Sequence, residues 1–129
     1  MKNLSKIKPT TAELEILQIL WKYKSATVKF VHERINKRKN VGYTTTLKIM
    51  QNMAAKNIVK RKLQGKSHVY IPVIARVETQ NLLLDRFLET AFSGSASNLV
   101  MQVLGNHRPS KEELQQIKEL INKLDGGKS

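Results

Sequence analysis

The sequence predicts a mostly α fold with one small β-hairpin, arranged as two unlike halves. Three observations lead there. Residues Tyr43 to Tyr70, YTTTLKIMQNMAAKNIVKRKLQGKSHVY, run from a helical pattern into two strand-like runs joined by a Gly-containing turn. The charge divides sharply: residues 1–73 hold sixteen Lys and Arg against three acidic residues, whereas 74–129 hold seven of each. The second half is built from Leu-rich helical stretches. A basic module joined to a neutral one suits a polyanion-binding half and a protein-binding half. The fold expected is a winged helix-turn-helix at 1–73 with a helical dimerisation domain at 74–129.

Met1 to Lys8 forms a short basic arm, either a phosphate contact or a disordered tail. The first helix is expected over Thr11 to Tyr23. Thr10 and Glu13 have capping-box spacing, with Thr11 as a competing cap. Leu14, Leu17 and Trp21 adjoin a second stripe of Ile16, Ile19 and Leu20, which makes this helix central to the core. The Trp21 indole N–H needs a partner there. Ser25 or Thr27 caps the next helix, read over Val28 to Arg38 with Val28, Val31 and Ile35 on its apolar face. His32 is read as a solvated side chain, because no ligand spacing links it to His68 or His107.

After a turn at Lys39 to Gly42, a helix begins near Thr44. Leu47, Met50, Met53 and Ala54 form its buried stripe. Thr44, Thr45, Lys48 and Asn52 face outward, with Gln51 at the margin. That set mixes hydroxyls, amides and a cation, the groups that read base edges when a helix enters the major groove. Asn57 suits the left-handed conformation that ends many helices. In the hairpin, Val59, Arg61 and Leu63 alternate with Lys60 and Lys62. Gln64 to Ser67 turns the chain, and Val69, Tyr70 and Ile71 return to Pro72. Lys60, Lys62 and Lys66 are expected to touch phosphates. Tyr70 is expected to be packed inside.

The second half reads as helices over Ile74 to Phe92, Ala96 to Leu104 and Lys111 to Leu124, the last with a capping box from Ser110 to Glu113. These pieces make a poor core alone, so their apolar faces want a partner, and a second copy is the economical one. The dimerisation set is Leu82, Leu83, Phe87, Leu88, Leu99, Val100, Val103, Leu104, Leu114, Ile117, Leu120 and Ile121. Packing against the first half is the rival reading.

Other classes are disfavoured. The chain has no cysteine, so thiol chemistry and disulfides are out. No stretch reaches the length of a membrane span, and the N-terminus lacks a signal-peptide pattern, which leads to the expectation of a cytoplasmic protein with no membrane partner. Asp85 and Glu89 share a helix face but have no third ligand, so they read as a surface pair. No catalytic residue, metal site or cofactor is expected.

The chain resembles the penicillinase-repressor family, the BlaI/MecI/CopY group of bacterial transcriptional repressors. The likeness covers about residues 7 to 124. It is carried by TTAELEILQILWK, TVKFVHERI, the Tyr43-Thr44-Thr45 start of the recognition helix, LLLDRFLETAFSGSASNLVMQVL, and Ser110-Lys111-Glu112-Glu113-Leu114. Asn57 stands where the family usually has Gly. The resemblance implies a homodimer that binds an inverted-repeat duplex DNA operator and blocks transcription, with Tyr43, Thr44, Thr45, Lys48 and Asn52 in or beside the recognition region. Tyr43 and Thr44 are alternatively braces of the helix start against phosphate. In antibiotic-responsive members the resemblance also implies a proteolytic sensor system that cleaves an Asn-Phe bond. Gln102-Val103 stands at that position here, which counts against this partner. The cysteine pairs of copper-responsive members are absent. An architectural DNA-binding protein, an activator, or a protein-interaction adaptor built on the same parts is the competing reading.

Overall fold

The computed structural model describes residues 8–126; the arm read at Met1 to Lys8 lies, up to residue 7, outside them, as does the end of the chain after Gly126. The elements run α1 (Thr11–Tyr23), α2 (Val28–Asn36), α3 (Tyr43–Ala55), β1 (Val59–Gln64), β2 (Ser67–Pro72), α4 (Arg76–Phe92), α5 (Ala96–Asn106) and α6 (Lys111–Gly126). The expected mostly α fold with a two-stranded wing is what forms.

Thr10 is the cap of α1, not Thr11. Its Oγ1 accepts from the Glu13 N–H at 3.1 Å, and Glu13 Oε1 accepts from the Thr10 N–H at 2.9 Å. Ile16, Leu17 and Leu20 of α1 are buried, and Leu14, Ile19 and Trp21 pack at the margin. The Trp21 indole donates to the Ile74 carbonyl at 2.9 Å, which fastens the segment after the wing onto α1. Thr27 caps α2 by accepting from the Phe30 N–H at 3.1 Å. This helix stops at Asn36, short of Arg38, where the Arg38 and Lys39 N–H groups both turn back to the Ile35 carbonyl.

Helix α3 starts one residue earlier than expected, at Tyr43, with Gly42 as a cap that has no side chain to offer. Its end is a Schellman motif. Asn57 takes φ 64°, its N–H reaches the Ala54 carbonyl, and the Ile58 N–H reaches that of Met53. Asn tolerates this conformation, so the residue standing in for Gly supports the same turn.

In the wing, Val59 pairs with Pro72, Arg61 with Tyr70 and Leu63 with His68 in an antiparallel ladder. Gly65 has φ 64° and Lys66 stays negative, the φ pattern of a type II′ loop. Ala26 adds one further rung. It exchanges both backbone hydrogen bonds with Tyr70, at 3.1 and 2.8 Å. Tyr70 is buried, as expected, and joins α1, α2, α3 and the Ile58–Val59 entry in one core.

By internal contacts the chain divides into two compact units between Leu83 and Leu84, within α4. In the second unit, Ser93 and Gly94 both take positive φ and end α4. Ser95 then caps α5, and the expected Ser110–Glu113 capping box opens α6, with bonds of 3.1 and 3.0 Å. No residue of α5 or α6 is buried within this chain.

Candidate nucleic-acid interface

The outward face of α3 follows from where its core face lies. Met50 and Met53 are fully buried, with Leu47 and Ala54 beside them, so Thr44, Thr45, Lys48, Gln51 and Asn52 are left exposed. The structure brings these five together on one helix face. Tyr43 opens the helix at 47% exposure.

Thr46 departs from the expected pattern. It is fully buried, and its Oγ1 lies 3.1 Å from His32 Nδ1 in a shared hydrogen bond. The His32 ring also meets Tyr43 edge to face at 5.5 Å between centroids. His32 is therefore half-buried rather than solvated, and it ties α2 to the first turn of α3. A hydroxyl that closes an otherwise exposed Thr run gives no local sign of burial. Its partner lies fourteen residues upstream.

The wing presents its cations on two faces, because side chains alternate along a strand. Lys60 and Lys62 share the face of their rung partners Ile71 and Val69, and Lys66 sits in the loop; all three lysines are exposed. Arg61 points the other way, with Tyr70. There it joins His68, Ser67 and Lys29 of α2 around a groove of about 570 Å³ that is closed on its other side by Tyr43, Leu47 and Gln51. The groove runs between α2, α3 and the wing, beside the α3 face. Lys29, Arg61 and His68 thus line this candidate site, although the sequence pattern did not single them out for it. The available signal was Arg61 itself, a cation occupying the apolar phase of the Val59–Arg61–Leu63 alternation.

Of the residues expected at a subunit interface, Phe87, Val100, Val103, Leu114, Leu120 and Ile121 are exposed. Leu82, Leu83, Leu88, Leu99, Leu104 and Ile117 are half-buried. Leu84, Met101 and Leu124 add to the exposed apolar set, Met101 at 72%. Among the described residues, no group of three or more His, Cys, Asp or Glu is placed to hold a metal ion, and no helix is long and apolar enough to cross a membrane.

The sequence model of the penicillinase repressor family matches residues 9–123, nearly the whole chain. The chain belongs to the penicillinase-repressor family. It is 27% identical over 117 residues to the transcriptional regulator BlaI of Mycobacterium tuberculosis, covering 89% of this chain and 83% of that one. It is 23% identical over 121 residues to the penicillinase repressor of Bacillus licheniformis, covering 94% and 93%. The methicillin resistance regulatory protein MecI of Staphylococcus aureus is 21% identical over 114 residues, with 88% and 93% covered. The solution structure of the DNA-binding domain of the repressor BlaI superposes with a TM-score of 0.51 at 24% identity, over 59% of this chain and 90% of that one. That likeness shows the winged-helix fold. As a member of the penicillinase-repressor family, the protein is a DNA-binding transcriptional regulator of the BlaI/MecI type and not an enzyme.

Proposed function

We propose that this penicillinase-repressor family member is a cytoplasmic homodimer that binds an inverted-repeat operator in duplex DNA and represses transcription by occupying it. The observation that carries the reading is the exposed α3 face of Thr44, Thr45, Lys48, Gln51 and Asn52, flanked on one side by Lys29 and Arg61. Amides and lysine suit base edges in a major groove, and the flanking cations suit the phosphates on either side of it. Tyr43 serves as a brace at the groove wall. Lys60, Lys62 and Lys66 reach phosphates farther along the duplex from the opposite face and tip of the wing.

In this reading residues 1–73 bind DNA and 74–129 pair two copies. The second unit supports this by what it leaves uncovered: Phe87 is 52% and Leu124 63% exposed, and α5 and α6 bury nothing of their own. Exposed apolar surface of this extent is covered in a stable soluble protein. A two-fold dimer presents two α3 helices to half-sites one or more helical turns apart. Proteolytic sensing through an Asn-Phe bond is not part of the proposal, since Gln102-Val103 stands there.

The test compares the full chain with a fragment ending at Leu83 by mobility shift on duplexes carrying one or two half-sites. The full chain is expected to favour the two-half-site duplex by at least tenfold, and the fragment to lose that preference. Equal preference in both proteins overturns the dimeric reading.

A further inference from the structure

A second basic site lies on the flank of α2 turned away from α3. The two flanks are told apart by their partners: His32 reaches Thr46 of α3, whereas the Arg34 guanidinium lies over Tyr23 of α1. Between α1, the end of α2 with the turn after it, and the first turn of α4 lies a cavity of about 730 Å³. Its wall carries Lys22, Arg34, Lys37, Arg38 and Arg76 against one carboxylate, Glu15. That carboxylate is already engaged, by Lys39 at 2.8 Å and Arg38 at 3.7 Å.

Arg34 is the centre of the arrangement. Its guanidinium lies over the rings of Phe30, at 4.2 Å, and Tyr23, at 4.7 Å, which themselves meet edge to face at 4.9 Å. The clamp fixes the cation where an unrestrained arginine would swing out to water. Arg34 Nε is buried and has no hydrogen-bond partner. A desolvated, unpaired donor on a charged group is costly, and so is a gathering of like charges around a concavity. The arrival of an anion relieves the repulsion among these cations and offsets the cost of holding the Arg34 guanidinium in place. The planar fork of a guanidinium matches the paired oxygens of an oxyanion. The excess of cations over carboxylate favours a multiply charged one. The cavity falls within the roughly 300–1,000 Å³ of small-molecule sites, and Trp21 and Tyr23 give it a flat apolar wall.

We infer that this cavity binds a phosphorylated small molecule, its phosphate oxygens on Arg34 and Arg76 with Lys22 and Lys37 completing the shell. The inference stands apart from the operator reading, because no residue of this cavity lines the groove of Lys29 and Arg61.

The chain's single tryptophan, Trp21, lines the cavity and reports on it directly. Full-length protein is titrated with inorganic pyrophosphate and with ADP at constant ionic strength, reading Trp21 emission and, in parallel, equilibrium dialysis. The expected result is saturable binding of one ligand per chain, weakened about tenfold or more in R76Q and in R34Q and unchanged in the charge-matched K118Q. Arg76 lies in an exposed first helical turn, so R76Q keeps the test decisive even if loss of the Arg34 clamp perturbs folding. Tighter binding of ADP than of pyrophosphate assigns the site to a nucleotide; equal binding assigns it to a free oligophosphate. The inference is overturned if neither ligand binds saturably, or if R76Q and R34Q bind as the wild type does. It is equally overturned if both variants lose affinity for duplex DNA by the same factor and duplex displaces the ligand, since the surface is then a phosphate-backbone contact.

Discussion

Lys56 Nζ lies 2.8 Å from Glu13 Oε2 and 3.1 Å from Oε1, so the C-terminal end of α3 is pinned to the cap of α1. The same carboxylate accepts from the Thr10 N–H, and it is almost wholly buried while the lysine is half exposed. One buried anion therefore does two jobs, closing the α1 cap and setting where α3 ends. Losing the capping interaction costs about 1 kcal/mol. Losing a pair with a half-exposed lysine costs about 1 kcal/mol more once solvent screening is allowed for. Glu13→Ala is expected to lower unfolding stability by about 2 kcal/mol in urea denaturation, and Lys56→Met by about half that. A Glu13→Ala protein as stable as the wild type would remove this link between the helices.

The two faces of the wing and the α3 surface should separate in binding experiments. Lys29→Gln and Arg61→Gln each remove one phosphate contact in the proposed complex. Each is expected to weaken operator and non-operator duplex alike and to reduce the slope of log affinity against log salt by about 1. Gln51→Ala and Asn52→Ala are expected to leave that slope alone and to cost roughly 1–3 kcal/mol of discrimination against altered bases. Fluorescence anisotropy over a salt series distinguishes the two patterns. If Arg61→Gln changed sequence preference with no change in slope, the groove would be reading bases rather than phosphate.

The α1 and α6 capping boxes, the Asn57 turn and the hairpin were legible, because each depends on residues within a few positions of one another. The burial of Thr46 was not, since its cause is His32 on another helix. Arg61 shows as a cation in the apolar phase of Val59 and Leu63, but the alternation does not say what that phase faces. Which face turns toward α3 depends on Ala26 pairing with Tyr70, a contact across forty-four residues. Trp21 plainly needed a hydrogen-bond partner, but only the folded chain identifies it as the Ile74 carbonyl.

That last bond bears on where the chain may be cut. Ile74 is a core residue, so a fragment ending at Val73 loses a buried side chain and the Trp21 acceptor together. Deleting a buried aliphatic side chain costs about 2–5 kcal/mol. The fragment ending at Leu83 is expected to unfold at clearly higher urea than the one ending at Val73. Equal midpoints would mean that the segment after the wing adds nothing to the first unit.

The exposed apolar surface of the second unit gives a separate test. Phe87 meets Phe92 edge to face at 5.6 Å while remaining half exposed. Placing a charge there, Phe87→Asp, is expected to cost roughly 2 kcal/mol or more of dimer stability if the ring is central to the interface. Sedimentation would show monomer at concentrations where the wild type is dimeric, with the helical content retained. A Phe87→Asp protein that sediments as the wild type does would remove Phe87 from the proposed subunit contact.

The most direct measurement is footprinting by the purified full-length protein on the DNA upstream of its own gene, across a salt series. Two protected half-sites are expected in inverted repeat, spaced by whole helical turns and lost together on dilution of the protein. Protection without fixed phase, fading uniformly as salt rises, would contradict the operator reading, because a basic surface needs neither the α3 face nor a second copy to produce that pattern.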